Sequence, residues 1–296
     1  MSTLIVGCGY LGARVGSLLV QKGDQVFGTV RSSQRATEIA NFGIEPLIAD
    51  VLSPETLESL PAVERVLCCV GFDRAGGADM RTVYVEGLRN LLERLPALVS
   101  RLVYASSTSV YGQSDGEWVD EDSPAEPIQE SGRVCLEAEQ VASHWARAAG
   151  VSLVVLRFSG LYGPDRVIRR ALLQRGEPIP GDPARFLNLV HIDDAAQAAI
   201  AALDSASPDS LYLVSDDRPV ERREYYALAA RLLGAPPPRY EPSAVGRAGV
   251  AQDPANRRIA NRRMRTGLGV DLLYPDIRAG LPAALGLRAA RPDPRR

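Results

Sequence analysis

Near the amino end, "VGCGYLG" spaces Gly7, Gly9 and Gly12 as G-x-G-x-x-G. The apolar run "TLIV" precedes it and a helical pattern follows. In that setting the spacing is the fingerprint of a dinucleotide cradle. The first glycine permits a tight turn, the second lets a pyrophosphate approach the backbone, and the third lets the helix pack close to the strand. Amide N–H groups at the helix start, with the helix dipole behind them, then hold the anion. Cys8, Tyr10 and Leu11 lie among these glycines and are expected cofactor contacts.

The next chemical question is which dinucleotide fits. A chain that selects NAD usually ends its second strand with Asp or Glu, which accepts from the ribose 2′-hydroxyl. Here the strand ends "GTVRSSQR", so Arg31 stands in that place, with Ser32 and Arg35 beside it. A carboxylate would repel a 2′-phosphate, whereas a guanidinium attracts one and can bond it through two N–H groups. The expected cofactor is therefore NADP rather than NAD. Asp50, ending the third strand, is placed to meet the adenine amino group. Val51 beside it, and Val70 and Gly71 at the end of the fourth strand, are expected contacts too.

These groups need a scaffold, and the pattern of elements describes one. "TLIVG", "QVFGTV", "EPLIAD", "RVLCCVG", "RLVYASS" and "SLVVLRF" are short apolar strands, and helical stretches separate them. In "RTVYVEGLRNLLERL", Val83, Leu88, Leu91, Leu92 and Leu95 fall largely on one helix face. Apolar strands alternating with helices predict an α/β fold: a doubly wound parallel (Rossmann) sheet covered on both faces, with ligands at the carboxyl ends of its strands. After about Phe158 the pattern loosens, with short strands in "NLVHI" and "LYLVS" and helices in "DDAAQAAIAALD" and "REYYALAARLLG". This predicts a Rossmann domain over 1–160, a smaller α/β lobe over 161–285 laid across the sheet's mouth, and a disordered tail over 286–296.

Bulk properties narrow the function class. The 296 residues are 46% hydrophobic, enough for a large core. A net charge of −2 and a pI of about 5.9 argue against a nucleic-acid or anionic-membrane partner. Cys8, Cys68, Cys69 and Cys135 form no C-x-x-C pair, and the histidines are His144 and His191. A zinc site needs a denser cluster, so no metal is expected and the thiols are expected to be free. The first residues do not read as a signal peptide, and no apolar run reaches the ~18 residues of a membrane helix, so a cytoplasmic location is expected.

"GCGYLG", "LVYASSTSVYG", "LRFSGLYGPDR" and "NLVHIDDAAQAAIAAL" occur in that order along nearly the whole chain. Together they resemble the extended short-chain dehydrogenase/reductase superfamily of NAD(P)-dependent epimerases and dehydratases. The resemblance implies a bound nicotinamide cofactor, a small hydroxyl- or carbonyl-bearing substrate such as a nucleotide-linked sugar, and a Ser/Thr, a Tyr and a Lys around the nicotinamide. It places Ser107 at the Ser/Thr position, to orient the reacting oxygen. Phe158, Ser159 and Gly160 take the place of the backbone that meets the nicotinamide amide. His191 and Asp193 match a segment that positions the C-terminal lobe.

The chain departs from that pattern at the acid/base pair. In "SGRVCLEAE", Ser131 stands at the Tyr position and Cys135 at the Lys position. Thr108 and Ser109 replace the acid pair of the dehydratases, and Tyr84 replaces a helix Asn. An alcohol is a far poorer acid than a phenol, and a thiol is no fixed cation, so the usual mechanism cannot run on this pair. On an ideal helix His144 lies about 180° round from Cys135 and points away. A displaced phenol is the remaining proton source: Tyr84 first, then Tyr162 and Tyr111. The basic run "NRRIANRRMR" is either a solvated face or a grip on a substrate diphosphate. Two functions stay open: an oxidoreductase or epimerase with Ser107 and Tyr84 as catalytic residues, or a non-catalytic NADP(H)-binding sensor or regulatory module.

Overall fold

The computed structural model describes residues 1–241 and 255–287. Its centre is a parallel sheet of seven strands: β1 (Ser2–Val6), β2 (Gln25–Val30), β3 (Glu45–Ile48), β4 (Arg65–Cys68), β5 (Arg101–Ser107), β6 (Ser152–Phe158) and β7 (Leu211–Val214). The spatial order is β7-β6-β5-β4-β1-β2-β3, with every neighbouring pair parallel. The chain leaves β1 in one direction and returns through β4 in the other. This reversal opens a crevice at the carboxyl ends of those two strands.

Helices cover both faces. On one lie α1 (Tyr10–Gln21), α2 (Ser33–Ala40) and α5 (Ile192–Asp204); on the other lie α3 (Gly87–Leu92) and α4 (Glu130–Ala149). α1 runs beside α5. Arg14 Nε pairs with Asp193 at 2.5 Å and Lys22 with Asp204 at 2.8 Å along that seam. Arg65 is buried and ties the layers together by pairing with both Asp24 and Asp204.

The boundary expected at 160 does not divide the fold. "LYLV" is β7, hydrogen-bonded to β6 at the edge of the main sheet, and α5 is one of its covering helices. A four-residue apolar strand carries no mark of the sheet it joins. The lobe is therefore assembled from residues on both sides of α5 and β7. It contains a short helix over Arg170–Arg175, α6 (Arg222–Leu233) and α7 (Ile277–Ala284), packed around Tyr162, Leu173, Tyr225 and Leu281. The stretch expected as one helix from Arg81 begins differently. Met80 and Arg81 are helical, Thr82–Glu86 form a wide π turn, and regular helix resumes at Gly87. The tail beyond Leu287 lies outside the described residues. Among the described residues, no helix is long and apolar enough to cross a membrane.

Candidate active site

The glycine turn leaves β1 at Gly7, whose φ is +84°. A Cβ there would lie 2.6 Å from Val70 Cα, so the turn is pressed against the backbone that ends β4. Thr29 holds it from the other side: its hydroxyl accepts from Gly7 N–H at 2.9 Å and its carbonyl from Cys8 N–H at 2.9 Å. Gly9 starts α1 and offers no side-chain cap. A Cβ at Gly9 would meet nothing nearer than 3.9 Å, whereas one at Gly12 would meet Gly7 O and Ile5 at 2.8 Å. The middle glycine thus faces open space, and the third seats the helix. Cys8 is buried beneath the turn, and burial pushes its thiol up to about 12 despite Arg35 nearby. It is a packed, neutral thiol.

Two cavities flank this turn and share Gly9, Val70 and Gly71 as a common wall. The first, about 730 Å³, also holds Gly7, Cys8, Arg31, Ser32, Arg35, Asp50 and Val51. Ser32 caps α2 by accepting from Arg35 N–H. Arg35 pairs with Glu38, and a second guanidinium nitrogen reaches Cys8 O at 3.5 Å. One Asp50 oxygen accepts from Leu52 N–H at 2.9 Å and fixes the loop. Arg31 pairs with Asp73 at 2.9 Å across the cavity mouth; sequence reasoning missed Asp73, which sits in a loop without a motif.

The second cavity, about 850 Å³, holds Tyr10, Leu11, Ser107, Tyr84, Phe158, Ser159 and Gly160. The two cavities between them bring together every residue expected around the cofactor except Gly12, which packs behind the turn. Ser107 ends β5, and its hydroxyl accepts from Ser109 N–H at 3.1 Å. Tyr84 reaches the cavity from the π turn, a feature that often marks functional sites. Its oxygen accepts from Phe72 N–H at 3.1 Å, which leaves its own hydrogen to donate. Burial raises its pKa, outweighing the Phe72 N–H bond, so at neutral pH it is an acid and not a base.

The other candidates lie elsewhere. Ser131 and Cys135 do not line either cavity. Cys135 is buried, with Ser109 Oγ 3.8 Å from its sulfur, and burial raises its pKa. Tyr111 is buried and structural: its hydroxyl donates to Asp120 O at 2.9 Å and accepts from Arg157 Nη1 at 2.7 Å. Tyr162 is buried in the lobe's core against His191 and Gly280. His191 caps α5, with Nδ1 accepting from Asp193 N–H at 3.3 Å. Below Ser107, Arg157 and Glu139 form a buried pair at 2.7 and 3.0 Å, and Ser106 donates to the same carboxylate. This network locks α4 to β5 and β6.

The lining of the second cavity is basic. Arg166, Arg169, Arg185, Arg222 and Arg257 line it, and among the described residues no aspartate or glutamate does. Of the run "NRRIANRRMR" only Arg257 turns inward, with Nη2 donating to Thr108 O at 2.8 Å. Arg258 donates to Gly116 O, and Arg263 and Arg265 pair with Asp122 and Asp217. Arg166 and Arg169 make no ion pair among the described residues. Both belong to a loop in which Asp165 and Arg169 have φ of 63° and 57°. Arg166 ends the motif "LRFSGLYGPDR", whereas Arg169, Arg185 and Arg222 come from loops and a helix with no shared motif, so nothing in the sequence gave these three a ligand role. Among the described residues, no group of His, Cys, Asp and Glu could hold a metal ion, and all four cysteines are free.

The sequence pattern of the NAD dependent epimerase/dehydratase family matches residues 3–214. The chain belongs to that family. YeeZ of Escherichia coli K12 is 30% identical over 280 residues, spanning 92% of this chain and 96% of its own. A 3-diazoavenalumate denitrifying reductase from Streptomyces is 29% identical over 306 residues, spanning 95% and 99%. Among solved structures, a functionally unknown conserved protein from Silicibacter pomeroyi superposes with a TM-score of 0.79 at 31% identity, covering 96% and 98%. The chain keeps the parallel, doubly wound scaffold of that family.

Proposed function

We propose that this family member binds NADP(H) and performs oxidoreduction or epimerisation on a small hydroxyl- or carbonyl-bearing substrate with an anionic portion, such as a sugar nucleotide. The observation that carries this reading is the pair of cavities joined over Gly9, the one turn glycine whose missing side chain faces open space. An extended dinucleotide needs such a passage, with the uncapped start of α1 facing its phosphates. Arg31, Ser32 and Arg35 on the adenosine side support the 2′-phosphorylated coenzyme.

When bound, the nicotinamide supplies hydride transfer. Ser107 orients the substrate oxygen, and Tyr84 donates the proton that a reduced carbonyl requires. Arg166, Arg169 and Arg222 attract the anionic portion of the substrate. The reductase among the relatives supports redox chemistry over simple isomerisation. One observation favours a second reading, a coenzyme-binding sensor without turnover: the positions of the usual proton-transfer pair, Ser131 and Cys135, do not line the cavity.

The test is calorimetry with NADPH and NADH, followed by NADPH oxidation against carbonyl compounds and nucleotide sugars. NADPH should bind more tightly than NADH, and Arg31→Asp should reverse the order. Turnover on any substrate decides for the enzyme; tight binding with no turnover across the panel decides for the sensor. No heat with either coenzyme refutes both.

A further inference from the structure

We propose that Asp73 sets the choice between the two nicotinamide coenzymes by competing with a 2′-phosphate for Arg31. The inference rests on the coenzyme reading above and deepens it. The adenosine-side cavity has two walls of different origin. One is the end of β2, with Arg31, Ser32 and Arg35; the other is the loop after β4, with Gly71, Asp73 and Gly76. Arg31 Nη2 meets Asp73 Oδ2 at 2.9 Å and joins these walls. Arg31 Nη1 lies against the loop itself, where a Cβ on Gly76 would be 3.6 Å away.

The carboxylate is aimed by its own turn. Asp73 Oδ1 accepts from Ala75 N–H at 3.0 Å, and the Asp73 carbonyl accepts from Gly76 N–H at 3.1 Å. These bonds hold Oδ2 toward the cavity mouth whether or not Arg31 is engaged. The Ala75 N–H bond, and then Arg31, keep the carboxyl below the usual carboxylate range, so it is charged at neutral pH.

The two side chains are about half exposed, at 56% and 46%. An exposed pair of this kind is weak and screened by salt. A 2′-phosphate carries more charge and offers a guanidinium two acceptors, so it displaces the carboxylate. To do so it must first separate Arg31 from Asp73. A 2′-hydroxyl, by contrast, can donate to Asp73 and leave the pair in place. Arg31 thus favours NADP(H), Asp73 favours NAD(H), and the measured preference is their difference.

The experiment is calorimetry with NADPH and NADH on wild type, Asp73→Asn, Arg31→Ala and the double variant. Asparagine retains the acceptor for Ala75 N–H, so the loop keeps its turn, and circular dichroism checks the fold. Asp73→Asn should tighten NADPH binding by up to about fivefold, the worth of one exposed ion pair that the phosphate no longer has to break. NADH binding should stay within about twofold or weaken. The gain should vanish in the Arg31→Ala background. An NADPH:NADH ratio unmoved by Asp73→Asn, or a gain that persists without Arg31, overturns the role of Asp73 alone. Wild-type protein that binds neither coenzyme overturns the coenzyme reading, and this inference with it.

Discussion

Replacing Tyr84 with Phe separates catalysis from support at one atom. The phenol oxygen accepts from Phe72 N–H at 3.1 Å, bracing the loop that leaves β4. Losing that bond in a half-buried setting costs about 0.5–1.5 kcal/mol. For a chain of 296 residues, unfolding entropy near 2.1 cal/mol/K per residue gives about 0.6 kcal/mol per degree, so Tm should fall by about 1–2 °C. If the same hydroxyl donates the proton, kcat should fall by about 10²–10⁴-fold with KM little changed. Burial raises the Tyr84 pKa, so the acid form persists through neutral pH, and no Tyr84-dependent loss of rate should occur below about pH 10. The assay is steady-state NADPH oxidation on the best substrate of the panel, with melting followed by circular dichroism. A kcat within threefold of wild type, together with the expected drop in Tm, would refute the catalytic role and leave Tyr84 as a prop. A fall in Tm of zero would refute the Phe72 bond itself.

Two further outcomes follow from buried charge. Glu139→Ala strands the buried Arg157 guanidinium and should cost about 3–5 kcal/mol, read as a lower urea midpoint; a loss under about 1 kcal/mol would show that the Arg157 guanidinium finds water instead. Asp216 is almost wholly buried; one oxygen accepts from Arg218 N–H and the other has no partner among the described residues. Burial lifts its pKa well above the ordinary value, so the fold favours the protonated form, and that stabilisation is lost as pH rises from about 4 through the raised pKa. Asp216→Asn should therefore be more stable than wild type at pH 8, with the gap closing toward pH 4 in urea titrations; a constant gap contradicts the raised pKa.

The strands and the glycine turn were legible because each is a local pattern. β1 and the Gly7–Gly12 spacing lie within a dozen residues, and the φ of Gly7 and the tight seat of Gly12 are what that spacing demands. Arg31 could be placed at the end of β2 by counting along one strand. The π turn that aims Tyr84 was not legible, since "RTVYVEGL" has ordinary helical composition. Nor was the partner of Arg31, because Asp73 follows it by 42 residues in a loop without periodicity.

Taken alone, the amino-acid sequence determined the strands, the glycine turn and the Ser131 and Cys135 of one helix, since each is written in consecutive residues. Only the tertiary structure decided which sheet "LYLV" would join, which of three tyrosines would face the cavity, and that arginines as far apart as Arg166, Arg222 and Arg257 would line one cavity. The reason is physical. Strand and turn propensities act over a few bonds, whereas packing sets the direction in which a long side chain points, and it does so across contacts separated by up to hundreds of residues.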